Sequence, residues 1–271
     1  MLSLAETEEV LRDAKSGLQD AIIRDIGKFT VALLAVFESQ GGFRLELAGT
    51  GTLVAVGDSH YILTARHVWE KVLKSARAIG ITLKEHVHQE FLLDTRSILI
   101  FGPDAPEVFA EWGPDLVFLR VPPGRVGAIN AYQTFYNLTR PRQTEPGAEL
   151  ETWVLMGTPA VLGSFKERHA DLQICGFFVW GNTPRQTRGE FDYLDIGVDV
   201  SLPGMPEGFG GVSGGGLWHV LIRRSESSVG IDWCNSLEGV AFYQSDVANG
   251  RRTIRCHGDR SIRTAMPSSS K

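Results

Sequence analysis

The chain has 271 residues, a hydrophobic content of 43% and a formal net charge of −5. This length and composition are those of a globular protein with a substantial core. The negative charge offers no basic surface for nucleic acid and no polybasic patch for a membrane, so we expect neither as a partner. Glycine is in excess, with 30 residues. Together with many short apolar runs, this excess indicates an all-β protein.

The chain termini and the three cysteines indicate the compartment. An odd number of widely spaced cysteines fits neither a disulfide framework nor a zinc site. The first residues lack the basic region and apolar core of a signal peptide, and no apolar run reaches the roughly 18 residues that span a bilayer. We therefore expect a cytoplasmic protein without a metal ion or cofactor.

Residues 3–27 have a helical pattern. Ser3 and Glu6 have the spacing of a capping box, apolar residues recur at helical intervals, and Gly27 can end the helix. We expect residues 1–28 to form a helical extension packed on the outside of the body. Docking of an activating partner on this helix is the alternative to a simple packing role.

From residue 29 the pattern changes to short strands separated by glycine and proline turns. Strands are predicted in the first half at 29–37, 43–56, 61–64, 81–93, 97–101 and 116–121, with a short helix within 70–80. Strands are predicted in the second half at 150–157, 172–180, 191–200, 217–222, 237–243 and 253–256. A linker at 139–147 divides a first domain, 29–145, from a second, 146–262, and leaves a tail at 263–271. This pattern favours two β-barrels or a sandwich.

The glycine-rich residues 208–218 surround a single serine, Ser213. So much glycine is entropically costly unless the backbone must take positive φ or let another group approach closely. A serine in such a turn can present its Oγ beside backbone N–H groups, which is the geometry of a nucleophile next to an oxyanion hole. A glycine-rich turn between two strands is the alternative.

A serine nucleophile needs a base and an acid that orients the base. His67 directly follows a buried strand pattern, and Asp115 begins a wholly apolar strand. Asp115 alone could equally cap a turn. Five other histidines have the patterns of surface residues or of residues that already have a partner: His60, His86, His88, His169 and His219. A metal site on His86 and His88 would need a third ligand that the sequence does not offer.

Three segments together resemble the trypsin-like (chymotrypsin-fold) serine peptidases, particularly the disulfide-free bacterial kind. Residues 49–54 and 61–68 resemble the histidine segment of that family, residues 115–119 its aspartate segment, and residues 211–215 its serine segment. The order His, Asp, Ser is also that of the family. The resemblance covers roughly residues 29–262 and implies two six-stranded β-barrels with the N-terminal helix appended.

The resemblance implies a serine endopeptidase that acts on a protein or peptide substrate. Ser213 would attack the peptide carbonyl, His67 would take and return the proton, and Asp115 would orient His67. The N–H groups of Gly211 and Ser213 would hold the oxyanion. Val212 stands where secreted members have an aspartate, so activation by a new N-terminus is unavailable. The enzyme is then expected to fold directly into a competent state or to be switched by a partner.

The resemblance also suggests residues that bind substrate. Glu207 falls near the floor of the primary pocket and would favour Lys or Arg at the cleaved position, although an exposed turn glutamate is the alternative. Phe242, Tyr243 and Gln244 would form the edge strand that pairs with the substrate backbone.

Two other functions fit parts of the sequence. One is a catalytically silent trypsin-fold module that binds a partner. The other is an α/β-hydrolase esterase, because residues 211–215 also fit the G-x-S-x-G elbow, with Asp246 and His257 completing the triad. That elbow needs a strand before the serine and a helix after it, whereas residues 201–210 are rich in Pro and Gly and residues 217–222 have a strand pattern.

Overall fold

The structure is a computed structural model. It describes residues 17–39, 42–83, 91–104, 111–140, 150–166, 169–179, 184–202, 204–224 and 231–268, and the single positions 9, 13 and 148. The predicted linker after residue 140, His86, His88 and most of residues 3–16 lie outside the described residues.

The first half of the chain forms an antiparallel sheet of eight strands, in which β8 joins as the only parallel pair among the described residues. Its main path has the order β5-β4-β1-β2-β3-β7-β6, with β8 on β2. The strands are β1 (Thr30–Ser39), β2 (Gly42–Val56), β3 (Ser59–Thr64), β4 (Ala78–Ile81), β5 (Leu92–Asp94), β6 (Ile100–Phe101), β7 (Val117–Arg120) and β8 (Tyr136–Asn137).

The second half forms an antiparallel sheet of seven strands in the order β12-β9-β15-β16-β17-β14-β13, with a separate β10–β11 hairpin. The strands are β9 (Leu150–Gly157), β10 (Ser164–Lys166), β11 (His169–Asp171), β12 (Cys175–Val179), β13 (Arg185–Arg188), β14 (Phe191–Asp199), β15 (Gly216–Arg224), β16 (Ile231–Gln244) and β17 (Arg251–Gly258). A register shift in the β16–β17 pairing lies between Ala241 and Tyr243.

Four helices are described: α1 (Leu18–Gly27), α2 (Arg66–Lys71), α3 (Pro123–Asn130) and α4 (Asp259–Ala265). The expected helix within 70–80 begins earlier, at Arg66, and ends before β4 is reached. Helix α4 runs past residue 262 into the segment expected to be a tail, because Ile262 and Ala265 are buried in the core. Within the described residues, no helix is long and apolar enough to span a membrane.

A mostly β protein of two sheets is confirmed, whereas two barrels of six strands each are not. Apart from the β10–β11 hairpin, the described strands form sheets of eight and seven. In each sheet the two end strands are not neighbours: they are β5 and β6 in the first and β12 and β13 in the second. Several members are short strands of two to four residues, and two of them, β8 and β13, lie outside every predicted strand.

A buried cluster between the sheets joins the two halves. It contains Phe118 of the first sheet and Val154 and Trp218 of the second. The Trp218 ring stacks on Phe29 with centroids 5.2 Å apart and meets the edge of Tyr136 at 5.1 Å. Helix α1 buries its own apolar residues in the same cluster, so Leu18–Gly27 packs against the body.

Candidate active site

His67 and Asp115 are brought together by the pairing of β3 with β7. Thr64, the last residue of β3, lies opposite Val117, the first residue of β7. His67 follows β3 in the first turn of α2, and Asp115 precedes β7, so both lie at the same end of the strand pair. The sheet register, rather than proximity along the chain, therefore sets their distance.

The Asp115 carboxylate holds His67 through two hydrogen bonds. Oδ2 lies 2.7 Å from the ring nitrogen Nδ1, and Oδ1 accepts the backbone N–H of His67 at 2.8 Å. Asp115 is only 2% exposed, which protects both bonds from water. With its proton on Nδ1 facing the carboxylate, the neutral imidazole has its basic lone pair on Nε2. This tautomer is the one a general base requires.

A second histidine, His257, is hydrogen-bonded to the backbone of Asp115. His257 Nε2 accepts the backbone N–H of Asp115 at 3.0 Å, and the ring stacks on Phe242 with centroids 4.3 Å apart. The side chain is fully buried, and this burial lowers the pKa of His257 to about 4. His257 is therefore neutral at pH 7 and can accept this bond. The sequence pattern indicates a role for His257 only as the base of the hydrolase alternative.

The serine loop connects β14 with β15 and depends on two left-handed glycines. Gly211 has φ +90° and Gly214 has φ +93°, a region that L side chains rarely adopt. A Cβ at Gly211 would lie 2.5 Å from the Thr158 carbonyl oxygen, and one at Gly214 would overlap the Thr50 carbonyl oxygen. Glycine is therefore required on both sides of Ser213.

Two peptide groups of the serine loop are oriented by hydrogen bonds to their carbonyls. The Gly210 carbonyl accepts the N–H of Ala160 at 2.7 Å, and the Val212 carbonyl accepts the N–H of Gly215 at 2.8 Å. The peptides are trans, so the N–H groups of Gly211 and Ser213 point the opposite way from these carbonyls. Within the described part of the chain, neither N–H donates to a protein acceptor.

Thr50 of β2 ties the serine loop to the first sheet. Its N–H donates to the Ser213 carbonyl at 2.8 Å, and its hydroxyl donates to the Gly211 carbonyl at 2.7 Å. The same hydroxyl accepts the Thr158 N–H at 3.0 Å, and the Thr64 hydroxyl donates to the Thr50 carbonyl at 2.7 Å. Because β2 also pairs with β3, these bonds place Ser213 relative to the strand that carries His67.

A surface cleft of about 370 Å³ contains the predicted nucleophile, base and acid together. Ser213, His67 and Asp115 all line it, and so do Gly211 and the predicted strand residues Phe242, Tyr243 and Gln244. The structure thus brings together every predicted site residue except one.

Glu207 is the exception. It is exposed and does not line the cleft. The cleft therefore gives no support to the predicted preference for Lys or Arg. Within the described residues, no group of three or more His, Cys, Asp or Glu side chains is arranged to hold a metal ion.

Comparisons with known proteins give weak likenesses in structure alone. No protein-family model matches the sequence, and no curated protein matches it. The tobacco vein mottling virus protease is 11% identical, with a TM-score of 0.41 over 92% of this chain and 85% of that chain. A second structure is described by the aromatic interactions that drive the coupled folding and binding of the intrinsically disordered Sesbania mosaic virus VPg protein. It is 12% identical, with a TM-score of 0.44 over 90% of this chain and 99% of that chain. Neither supports the expected bacterial kind of the family.

Proposed function

We propose that this chain is a serine endopeptidase of the trypsin-like class. The observation that carries the proposal is one cleft that contains Ser213, the Asp115-held His67, and two N–H groups beside the serine that have no acceptor among the described residues. A nucleophile, an oriented base and oxyanion donors are the parts that acyl transfer requires.

In the proposed reaction, Ser213 Oγ bonds to the substrate carbonyl carbon while His67 Nε2 takes the hydroxyl proton. The carbonyl oxygen becomes an oxyanion and accepts from the N–H groups of Gly211 and Ser213. The carbon–nitrogen bond then breaks, and His67 gives its proton to the leaving amine. Water, deprotonated by His67, hydrolyses the acyl-enzyme and restores the serine. The Asp115 carboxyl group accepts a hydrogen bond from Nδ1 and stabilises the imidazolium in both steps.

The orientation of the serine loop favours this function over a silent binding module. A collapsed loop would turn a carbonyl toward the oxyanion position. Here the Gly210 and Val212 carbonyls are held by Ala160 and Gly215. The esterase alternative fits less well, since Ser213 leads into strand β15 rather than a helix, and the ring of His257 is buried against Asp115.

The experiment that tests the proposal is labelling of the purified full chain with a fluorophosphonate probe, with mass spectrometry to locate the adduct. We expect one adduct on Ser213, lost in Ser213→Ala and in His67→Ala. Ser39→Ala and His219→Ala are matched controls away from the cleft and should label at the wild-type rate. Hydrolysis of unfolded casein by the wild type then distinguishes a peptidase from an esterase. Folded wild type that does not label, or labelling that survives Ser213→Ala, would contradict the proposal.

A partner that docks on the N-terminal helix and activates the enzyme stays a prediction. The described part of α1 buries Ile22 and Ile26 completely, and Asn235 donates a hydrogen bond to Asp25 at 2.9 Å. These contacts support the packing role.

The residue before the serine, Val212, is buried. An apolar side chain therefore packs at this position of the serine loop, without a charged partner.

A further inference from the structure

The side chain of Gln244 lines the cleft that contains Ser213 and reaches the serine loop. Gln244 ends β16 and lies opposite Ile254 of β17, and both residues line the cleft. Its Oε1 accepts the backbone N–H of Phe209 at 3.0 Å and also a hydrogen bond from the Arg252 guanidinium. Phe209 belongs to the serine loop, which forms the facing wall. The amide therefore connects the two walls.

The proposed reaction places a substrate side chain in this part of the cleft. His67 must reach the leaving nitrogen to protonate it, so the leaving portion of the substrate lies on the His67 side of Ser213. The residue that supplies the scissile carbonyl lies on the other side. That side is formed by residues 209–213 and by the end of β16, which are the walls that Gln244 connects.

We propose that Gln244 limits the residue supplying the scissile carbonyl to a small side chain without positive charge, such as that of Gly, Ala or Ser. This inference rests on the proposed peptidase function. The amide occupies the space that a long side chain would need. The neighbouring wall residues Ala241 and Ile254 are apolar and buried, and the Arg252 guanidinium beside Gln244 opposes a substrate Lys or Arg.

Moving the Gln244 amide aside is costly because two donors depend on it. Phe209 is 3% exposed, so its N–H would lose its acceptor in a place that water does not easily reach. The Arg252 guanidinium would lose a charge-assisted hydrogen bond as well. A larger substrate side chain therefore cannot enter by a simple rotation of Gln244.

The test compares four fluorogenic peptides that differ only at the cleaved position, which holds Ala, Phe, Lys or Glu. The wild type should cleave the Ala peptide with kcat/KM at least about tenfold above the other three, the scale set by leaving one buried N–H unsatisfied. Gln244→Ala should reduce the Ala-to-Phe ratio by about tenfold or more. Gln186→Ala, an exposed glutamine on β13, is the matched control and should keep the wild-type ratios.

Ratios between peptides for one variant do not depend on how much of that variant is folded. The fluorophosphonate labelling rate of Gln244→Ala measures in addition whether its serine loop is intact. A wild type that cleaves the Phe, Lys or Glu peptide as well as the Ala peptide would overturn the inference, and so would an unchanged ratio in Gln244→Ala. A wild type that labels but cleaves none of the four peptides would also overturn it. A wild type that neither labels nor cleaves would refute the peptidase function first, and this inference with it.

Discussion

Replacing Thr50 with valine tests whether one buried hydroxyl holds the oxyanion donors in place. Valine keeps the shape of the side chain and removes its oxygen, which ends the hydrogen bond to the Gly211 carbonyl at 2.7 Å and the one from the Thr158 N–H at 3.0 Å. Both backbone partners would be left in a buried site, at about 1–3 kcal/mol each. We expect a loss of about 2–4 kcal/mol in the free energy of unfolding.

The same change should lower catalysis indirectly. The Gly211 carbonyl would no longer be held, and Gly211 also carries one of the two proposed oxyanion N–H groups. Loss of one oxyanion donor costs about 10²–10³ in kcat, and a donor that is only loosened should cost about 10–100-fold. KM should change little, since the donors act on the transition state.

The assay combines chemical denaturation with steady-state peptide hydrolysis. Thr50→Ser, which restores the hydroxyl, should recover most of both losses. Thr152→Val is the neutral control, because the Thr152 hydroxyl is buried without a hydrogen-bond partner in the described structure. Wild-type kcat in Thr50→Val, or equal defects in the serine and valine variants, would refute the positioning role.

The remaining predictions concern Asp115, which holds His67, and His257, which accepts the backbone N–H of Asp115. Asp115→Asn should lower kcat by about 10⁴ with little change in KM, because an amide donor facing Nδ1 moves the ring proton to Nε2. Asp246→Asn is the exposed control, and a kcat for Asp115→Asn within tenfold of wild type would contradict the assigned role. Acid should destabilise the protein through His257, whose pKa is about 4 when folded against an ordinary value of 6.5. Because the unfolded chain binds this proton first as the pH falls, stability is full above pH 6.5 and about 3 kcal/mol is lost by pH 4. Urea denaturation from pH 7.5 to 4 measures this loss, which should be absent in His257→Gln; an equal pH dependence in both proteins would show that another group titrates.

The residues proposed for the chemistry could be predicted because each has a local signature. His67 and Asp115 stand at the ends of apolar strands, and Ser213 stands between glycines that a left-handed backbone requires. The strand pattern also predicted strands at 61–64 and 116–121, which lie within or around β3 and β7. Such signals involve only a few residues along the chain, so a single sequence contains them.

The pocket could not be predicted in the same way. Counting back from Ser213 placed Glu207 at the pocket floor, yet the intervening turn leaves it exposed outside the cleft. Gln244, which lines the cleft, comes from another strand and accepts the N–H of Phe209, 35 residues earlier in the chain. A register shift between Ala241 and Tyr243 changes which residues lie opposite β17 at this end of β16. No local pattern indicates that shift.

The hydrogen bonds that align the site are even more distant in sequence. The Thr50 hydroxyl meets the Gly211 carbonyl across 161 positions, and His257 meets the Asp115 N–H across 142. Each bond joins a residue of one sheet to a loop or strand of the other half, so it exists only once both sheets have formed and packed on the shared cluster around Trp218. A chain could keep all three motif segments and still misplace the proposed oxyanion donors by the length of one hydrogen bond. Thr50 and His257 are therefore the positions at which folding and the proposed catalysis are coupled, and changes there should affect stability and kcat together.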